Sequence, residues 1–151
     1  PRFAGWWNHN KETRFNMRQP FDVMEGAEGW QLSNPPILSM AAIKASLDLF
    51  NEIGMDALRE KSEKLTGYFE FLINEISVDA IKIITPANPK ERGCQISIQV
   101  KNADKSLHAK LTEQHIITDW REPNVIRCAP VPMYTSFEDV YRMVSTLKDL
   151  L

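Results

Sequence analysis

A chain of 151 residues, 43% apolar and 25% charged, has the size and composition of one ordinary globular domain with its own core. Its formal charge of −2 excludes the basic footprint of a nucleic-acid or anionic-membrane binder. No apolar run approaches the roughly 20 residues needed to cross a bilayer, and the opening PRFAGWWNHN lacks the segments of a signal peptide.

Residues 1–34 hold three of the four tryptophans together with Phe3, Phe15 and Phe21. No period of 2 or 3.6 runs through them, and Gly5, Pro20, Gly26 and Gly29 interrupt them. Such a stretch reads as an aromatic arm packing against something outside itself, or else as a loop folded over its own domain. With Pro1 preceded by no methionine, the chain opens as an excised segment would.

SNPPIL announces a helix over about 35–52, with Asn34 as N-cap, the prolines in the first turn, and Ile37, Met40, Ile43, Leu47 and Phe50 at helical spacing. Gly54 ends it, and a second helix begins near Asp56 with Leu58, Leu65, Phe69 and Ile73 on one stripe. IKIITP and CQISIQV read as strands on either side of the turn-rich PANPKERG. Asn102 or Asp104 caps a helix running to about Gln114. IITDW and NVIRCAPV follow as short strands separated by REP. Ser136 and Asp139 then make a capping box, and Phe137, Val140, Tyr141, Val144 and Leu147 form the apolar face of a last helix. The predicted class is α+β: an antiparallel-rich sheet of about four strands with helices on one face. Residues 1–34 are expected to form an arm or connector, and 35–151 a small domain.

The histidines His9, His108 and His115 lack metal-ligand spacing, and no metal set is expected. Cys94 and Cys128 read as ordinary thiols of a reducing compartment, which places the chain in the cytoplasm. Three patches stand out. The paired rings Trp6 and Trp7 could stack on a planar ligand or donate indole N–H bonds, or simply pack. Ser33 and Asn34 precede a helix N-terminus whose free amides suit an anion, although capping alone explains Asn34 equally well. Arg127, inside the apolar strand VIRCAPVP, either meets a carboxylate or points outward from an alternating strand.

The stretches GWWNH, TRFNM, LSNPPIL, LTGYFEFLI, IITP, ERGCQISI, NVIRCAPVPMY and SFEDVY occur in this order along nearly the whole chain. Together they resemble the C-terminal part of kynureninases. Kynureninases are fold type I enzymes that use pyridoxal 5'-phosphate (PLP) to hydrolyse L-kynurenine, or its 3-hydroxy form, to anthranilate or 3-hydroxyanthranilate and L-alanine. The resemblance implies that Trp6 and Asn34 contact the cofactor, with Trp6 on its phosphate. It also implies that Trp7 and Ser33 lie at the substrate and that Arg127 binds the substrate α-carboxylate. It further implies a homodimer with the active site at the subunit interface, the first two residues serving the neighbouring subunit. Trp7 departs from the phenylalanine common at its position, and the larger ring bears on the choice between the two substrates. The lysine that bonds the cofactor lies N-terminal to this segment in the family, so no catalytic residue is expected here and the segment alone is expected to be inactive. Two other readings remain: the small domain of a cysteine-desulfurase-like PLP enzyme, and a stand-alone binding module.

Overall fold

The computed structural model describes residues 2–16, 20–76 and 79–151. Pro1 and Met17, the latter closing the TRFNM stretch, lie outside them. The chain divides into two compact units, Pro1–Glu52 and Ile53–Leu151.

In the first unit the non-periodic stretch folds around Asn8, a fully buried side chain. Its Oδ1 accepts the Gly5 N–H at 2.8 Å, and its Nδ2 donates to the Phe3 and Gly29 carbonyls at 2.9 and 3.2 Å. A buried amide is tolerated because both of its ends are hydrogen-bonded. Gly5 is required where it stands, since a Cβ there would lie 2.3 Å from the Leu32 carbonyl oxygen. The next residue, Trp6, donates its backbone N–H to that same carbonyl at 3.0 Å. In this unit the stretch therefore folds upon itself through polar bonds, while Phe3, Phe15 and Trp30 remain exposed. Its helix, α1 (Ile37–Ile53), buries none of its side chains.

The expected cap of α1 is not made. The helix begins at Ile37, and the Pro36 carbonyl accepts the Met40 N–H at 2.9 Å. Asn34 stands too far upstream to cap it, because the two prolines form the entry and its side-chain oxygen is bound elsewhere.

The second unit holds α2 (Met55–Asn74), β1 (Ile81–Ile83), β2 (Ile96–Val100), α3 (Lys105–Glu113), β3 (Asp119–Arg121), β4 (Val125–Cys128) and α4 (Phe137–Leu150). Gly54, at φ 82°, provides the backbone conformation that turns the chain into α2. The four strands form one antiparallel sheet in the order β1-β2-β4-β3, the α+β arrangement expected. Alternation puts Ile96, Ile98 and Val100 of β2 and Ile126 and Cys128 of β4 into the core. Leu65, Phe69 and Ile73 of α2, Leu111 of α3 and Leu147 of α4 complete it.

Three expectations are corrected. IITDW is a strand only from Asp119, because Ile117 is exposed and packs on no neighbour strand. IKIITP is a strand only over its first three residues, and β1 stops at Ile83. The buried face of α4 is Val140, Met143, Val144 and Leu147, while Phe137 and Tyr141 are exposed. The stripe leans toward Met143, and Phe137 instead sets its ring edge-on to Tyr68 at 5.7 Å. The Ser136–Asp139 capping box is present, and Asp104 rather than Asn102 caps α3.

Candidate functional site

In the first unit, Trp7 and Asn34 come together despite their separation in sequence: the Trp7 indole Nε1 donates to Asn34 Oδ1. With its oxygen so engaged, the Asn34 amide keeps its Nδ2, which donates to nothing among the described residues. Above the Trp7 ring lies the Arg14 guanidinium, 5.0 Å from the ring centroid, and Arg14 itself is buried. A cation over an indole face is attracted by the ring quadrupole, so Trp7 is held by an edge bond and a face contact at once. Trp6 is 46% exposed and meets Phe15 edge-to-face at 5.3 Å. Its own Nε1 makes no hydrogen bond among the described residues. Ser33 is exposed, and its backbone carbonyl accepts from Gln31 Nε2 at 3.1 Å.

In the second unit, Arg127 projects from β4 on the side opposite Ile126 and Cys128, its side chain 33% exposed. Arg127 thus faces away from the core, as one of its two sequence readings had it, and pairs there with a carboxylate of this chain. That carboxylate belongs to Asp119, directly across the β3–β4 ladder. Asp119 Oδ2 accepts from Arg127 Nε at 2.7 Å and from Arg127 Nη2, and also from Arg121 Nε at 3.0 Å. The hydrogen bond from Arg127 holds the Asp119 carboxyl below the usual carboxylate range, with Arg121 adding to it. Arg127 and Asp119 line a cavity of about 650 Å³, together with Cys128, Tyr134, His115 and Arg142. Burial pushes the Cys128 thiol up to about 12, which leaves it protonated and unreactive beside that cavity.

Among the described residues no group of three His, Cys, Asp or Glu could hold a metal ion, and no helix is long and apolar enough to cross a membrane. His108 Nε2 lies 3.1 Å from the Thr118 carbonyl, and His9 rests against Phe21; neither approaches a catalytic partner. Among the described residues no lysine is buried. Sequence reasoning missed Asp119, Arg14 and Asn8. Hairpin pairing of DWR with VIR could have suggested Asp119, but nothing local marks the other two.

Residues 58–147 match the family described as "Kynureninase C-terminal domain". The kynureninase of Myxococcus xanthus (strain DK1622) is 52% identical over 148 residues, covering 98% of this chain and 35% of that protein. The kynureninase of Koribacter versatilis (strain Ellin345) is 52% identical over 144 residues, covering 95% of this chain and 34% of that protein. The chain thus spans about 35% of the length of the curated relatives it matches. Among solved structures, the apo cysteine desulfurase from Thermococcus onnurineus NA1 superposes with a TM-score of 0.70 at 16% identity, over 99% of this chain and 38% of its own. The cystine C-S lyase C-DES, in complex with cysteine persulfide, superposes at 0.68 with 17% identity and the same coverage. These likenesses establish the fold, while the far higher sequence identity establishes the lineage. The chain belongs to the kynureninase family.

Proposed function

We propose that this chain supplies the substrate-carboxylate and cofactor-phosphate contacts of a PLP-dependent hydrolase that cleaves L-kynurenine or 3-hydroxy-L-kynurenine, releasing anthranilate or 3-hydroxyanthranilate and L-alanine. The observation that carries it is Arg127. A guanidinium fixed on an interior strand, at the edge of a cavity and within a kynureninase sequence, is suited to an α-amino acid's carboxylate.

The donors on the first unit fit a phosphate. Trp6 Nε1 and Asn34 Nδ2 are neutral N–H groups with no other acceptor among the described residues, and phosphate oxygens only accept. A C-DES variant has been solved with glycine covalently linked to its PLP cofactor, on the same fold. In this reading Trp6 and Asn34 hold the cofactor, Trp7 and Ser33 lie at the substrate, and Trp7 shapes the space for the aryl ring. When bound, PLP supplies an electron sink for the substrate's α-carbon. This chain's share is positional. Arg127 orients the carboxylate, Trp6 and Asn34 donate to phosphate, and the Trp7 ring excludes water from one side of the aryl group. In the family the lysine that bonds the cofactor lies N-terminal to this segment, so in this reading the covalent anchor comes from elsewhere in the parent protein and the segment alone is inactive.

Residues 1–34 act as the arm joining the large cofactor-binding domain, with 35–151 as the small domain. In a homodimer the arm's Trp6 and Asn34 reach the neighbouring subunit's site. The enzyme is cytoplasmic and serves tryptophan degradation and NAD biosynthesis. The cysteine-desulfurase-like alternative rests on likeness of fold at 16% identity, against 52% for kynureninases.

The test is Arg127→Ala in the full-length enzyme. Loss of a charge that pairs with the substrate should lower kcat/KM by about 2–5 kcal/mol equivalent. Unchanged kinetics would end the carboxylate assignment.

A further inference from the structure

An arginine that recognises a carboxylate through two parallel bonds must present its plane at a fixed angle, and its long side chain resists that, with about 2 kcal/mol of rotamer entropy to lose. In this chain the plane is already set. Asp119 Oδ2 holds the Nε and Nη2 side of Arg127 across the β3–β4 ladder, while Ser97, opposite Arg127 on β2, brings no charge. Arg127 Nη1 makes no hydrogen bond among the described residues, and both Asp119 and Arg127 line the cavity.

Asp119 also binds a second cation. Arg121 reaches the same Oδ2 at 2.9 Å through Nη2 and 3.0 Å through Nε. Two guanidiniums and one carboxylate leave the trio with one net positive charge, so a ligand carboxylate is still attracted. Without the carboxylate, two like charges would stand as diagonal neighbours on adjacent strands with nothing between them, and the freer side chains would swing apart.

We propose that Asp119 is a positioning residue: its carboxylate fixes the Arg127 guanidinium so that the remaining N–H edge meets the substrate's α-carboxylate at the cavity. This rests on the carboxylate role given to Arg127 above. In this role Asp119 acts through the arginine rather than on the substrate itself.

The experiment uses the full-length holoenzyme with Asp119→Ala, Asp119→Asn, Asp119→Glu, Arg127→Lys, and Asp119→Ala combined with Arg127→Lys. Steady-state kcat and KM are measured, together with calorimetric binding of L-alanine and thermal midpoints. Asp119→Ala should raise KM and weaken L-alanine binding roughly 10-fold while kcat changes less than about 3-fold, a coupling typical of neighbours in one polar network. Asp119→Glu should recover part of the loss. Added to Arg127→Lys, Asp119→Ala should cost no more than about 2-fold, since the plane it fixes is gone. Should the alanine variant fail to fold, Asp119→Asn keeps an acceptor and should still raise KM about 3-fold. An unchanged or lowered KM, in whichever of these two variants folds, overturns the proposal. So does a full 10-fold further loss in the Arg127→Lys background. If Arg127→Lys itself leaves KM and L-alanine binding untouched, the carboxylate reading falls and this inference with it. If only the Asp119 variants are silent, the positioning role alone falls.

Discussion

Replacing Glu70 with glutamine tests how the connection between β1 and β2 is held. Arg92 in that connection has a side chain only 3% exposed, while its partner Glu70 on α2 is 26% exposed. Arg92 Nη2 donates to Glu70 Oε2 at 2.9 Å and Nη1 to the Pro86 carbonyl at 3.1 Å, but Nε is buried without a partner. The guanidinium has therefore left water with one carboxylate to balance it, among the described residues. Removing one member of a buried pair costs about 3–5 kcal/mol, because the other charge stays buried. Two features reduce that figure: Glu70 keeps some solvent, and glutamine still offers an oxygen worth about 1 kcal/mol as an acceptor. The expected loss is about 2–3 kcal/mol. Changing both members, Glu70→Leu with Arg92→Met, removes the charge and the orphaned Nε together and should fall within about 1 kcal/mol of the parent. Urea unfolding followed by far-UV circular dichroism gives both values, with an unchanged m-value as the check on comparability. Hydrogen exchange at the β2 amides reads the same effect locally. A Glu70→Gln chain within about 0.5 kcal/mol of the parent would refute the reasoning, as would a double variant less stable than the single one.

Trp7→Phe removes the donor to Asn34 but keeps a ring beneath Arg14, so the first unit should lose about 1 kcal/mol or less, read as faster hydrogen exchange around residues 5–8 and 32–34. Unchanged protection there would mean the bond contributes nothing. Ser136→Ala should cost about 1 kcal/mol by loss of the α4 cap, measured by urea unfolding. Asp139, through its bonds with Ser136, and Asp119, through Arg127, both have carboxyls lowered in the folded state. A lowered folded value means stability that is present above the ordinary carboxylate value of about 3.9 and lost as pH falls through the folded one. The thermal midpoint should therefore fall below about pH 4, and fall less in Asp139→Asn; a midpoint that rises on acidification would contradict the sign.

The parts of the fold that sequence made legible are those with local signals. ISIQV alternates, and β2 buries its alternate residues. Ser136 and Asp139 stand three residues apart, and the box they predict is made. Where the sequence misled, a distant residue decided the outcome. Asn34 has the chemistry of a cap, yet an indole 27 positions earlier takes its oxygen, and no local pattern reports that competition. Arg127 showed that it needed a carboxylate or a way out to solvent, but its partner depends on strand register, which the turn between β3 and β4 sets. Asn8 looks like any polar residue after an aromatic pair; only the tertiary fold gives it three hydrogen bonds and removes it from water. The family's stretches pointed to Arg127, Trp7 and Asn34 as residues, but their partners within the chain are set by the tertiary fold alone.

The place of β4 in the sheet has a further consequence. With β2 on one side and β3 on the other, β4 has no free edge. Sliding it by one residue would break two ladders and carry Arg127 to the core side in exchange for Ile126 or Cys128. β3 is different: it is an outer strand, paired on one side only. Changes in loop length at residues 122–124 would thus spare the arginine's address and shift only what stands opposite it. The sheet keeps Arg127 fixed and leaves the residue opposite it open to variation.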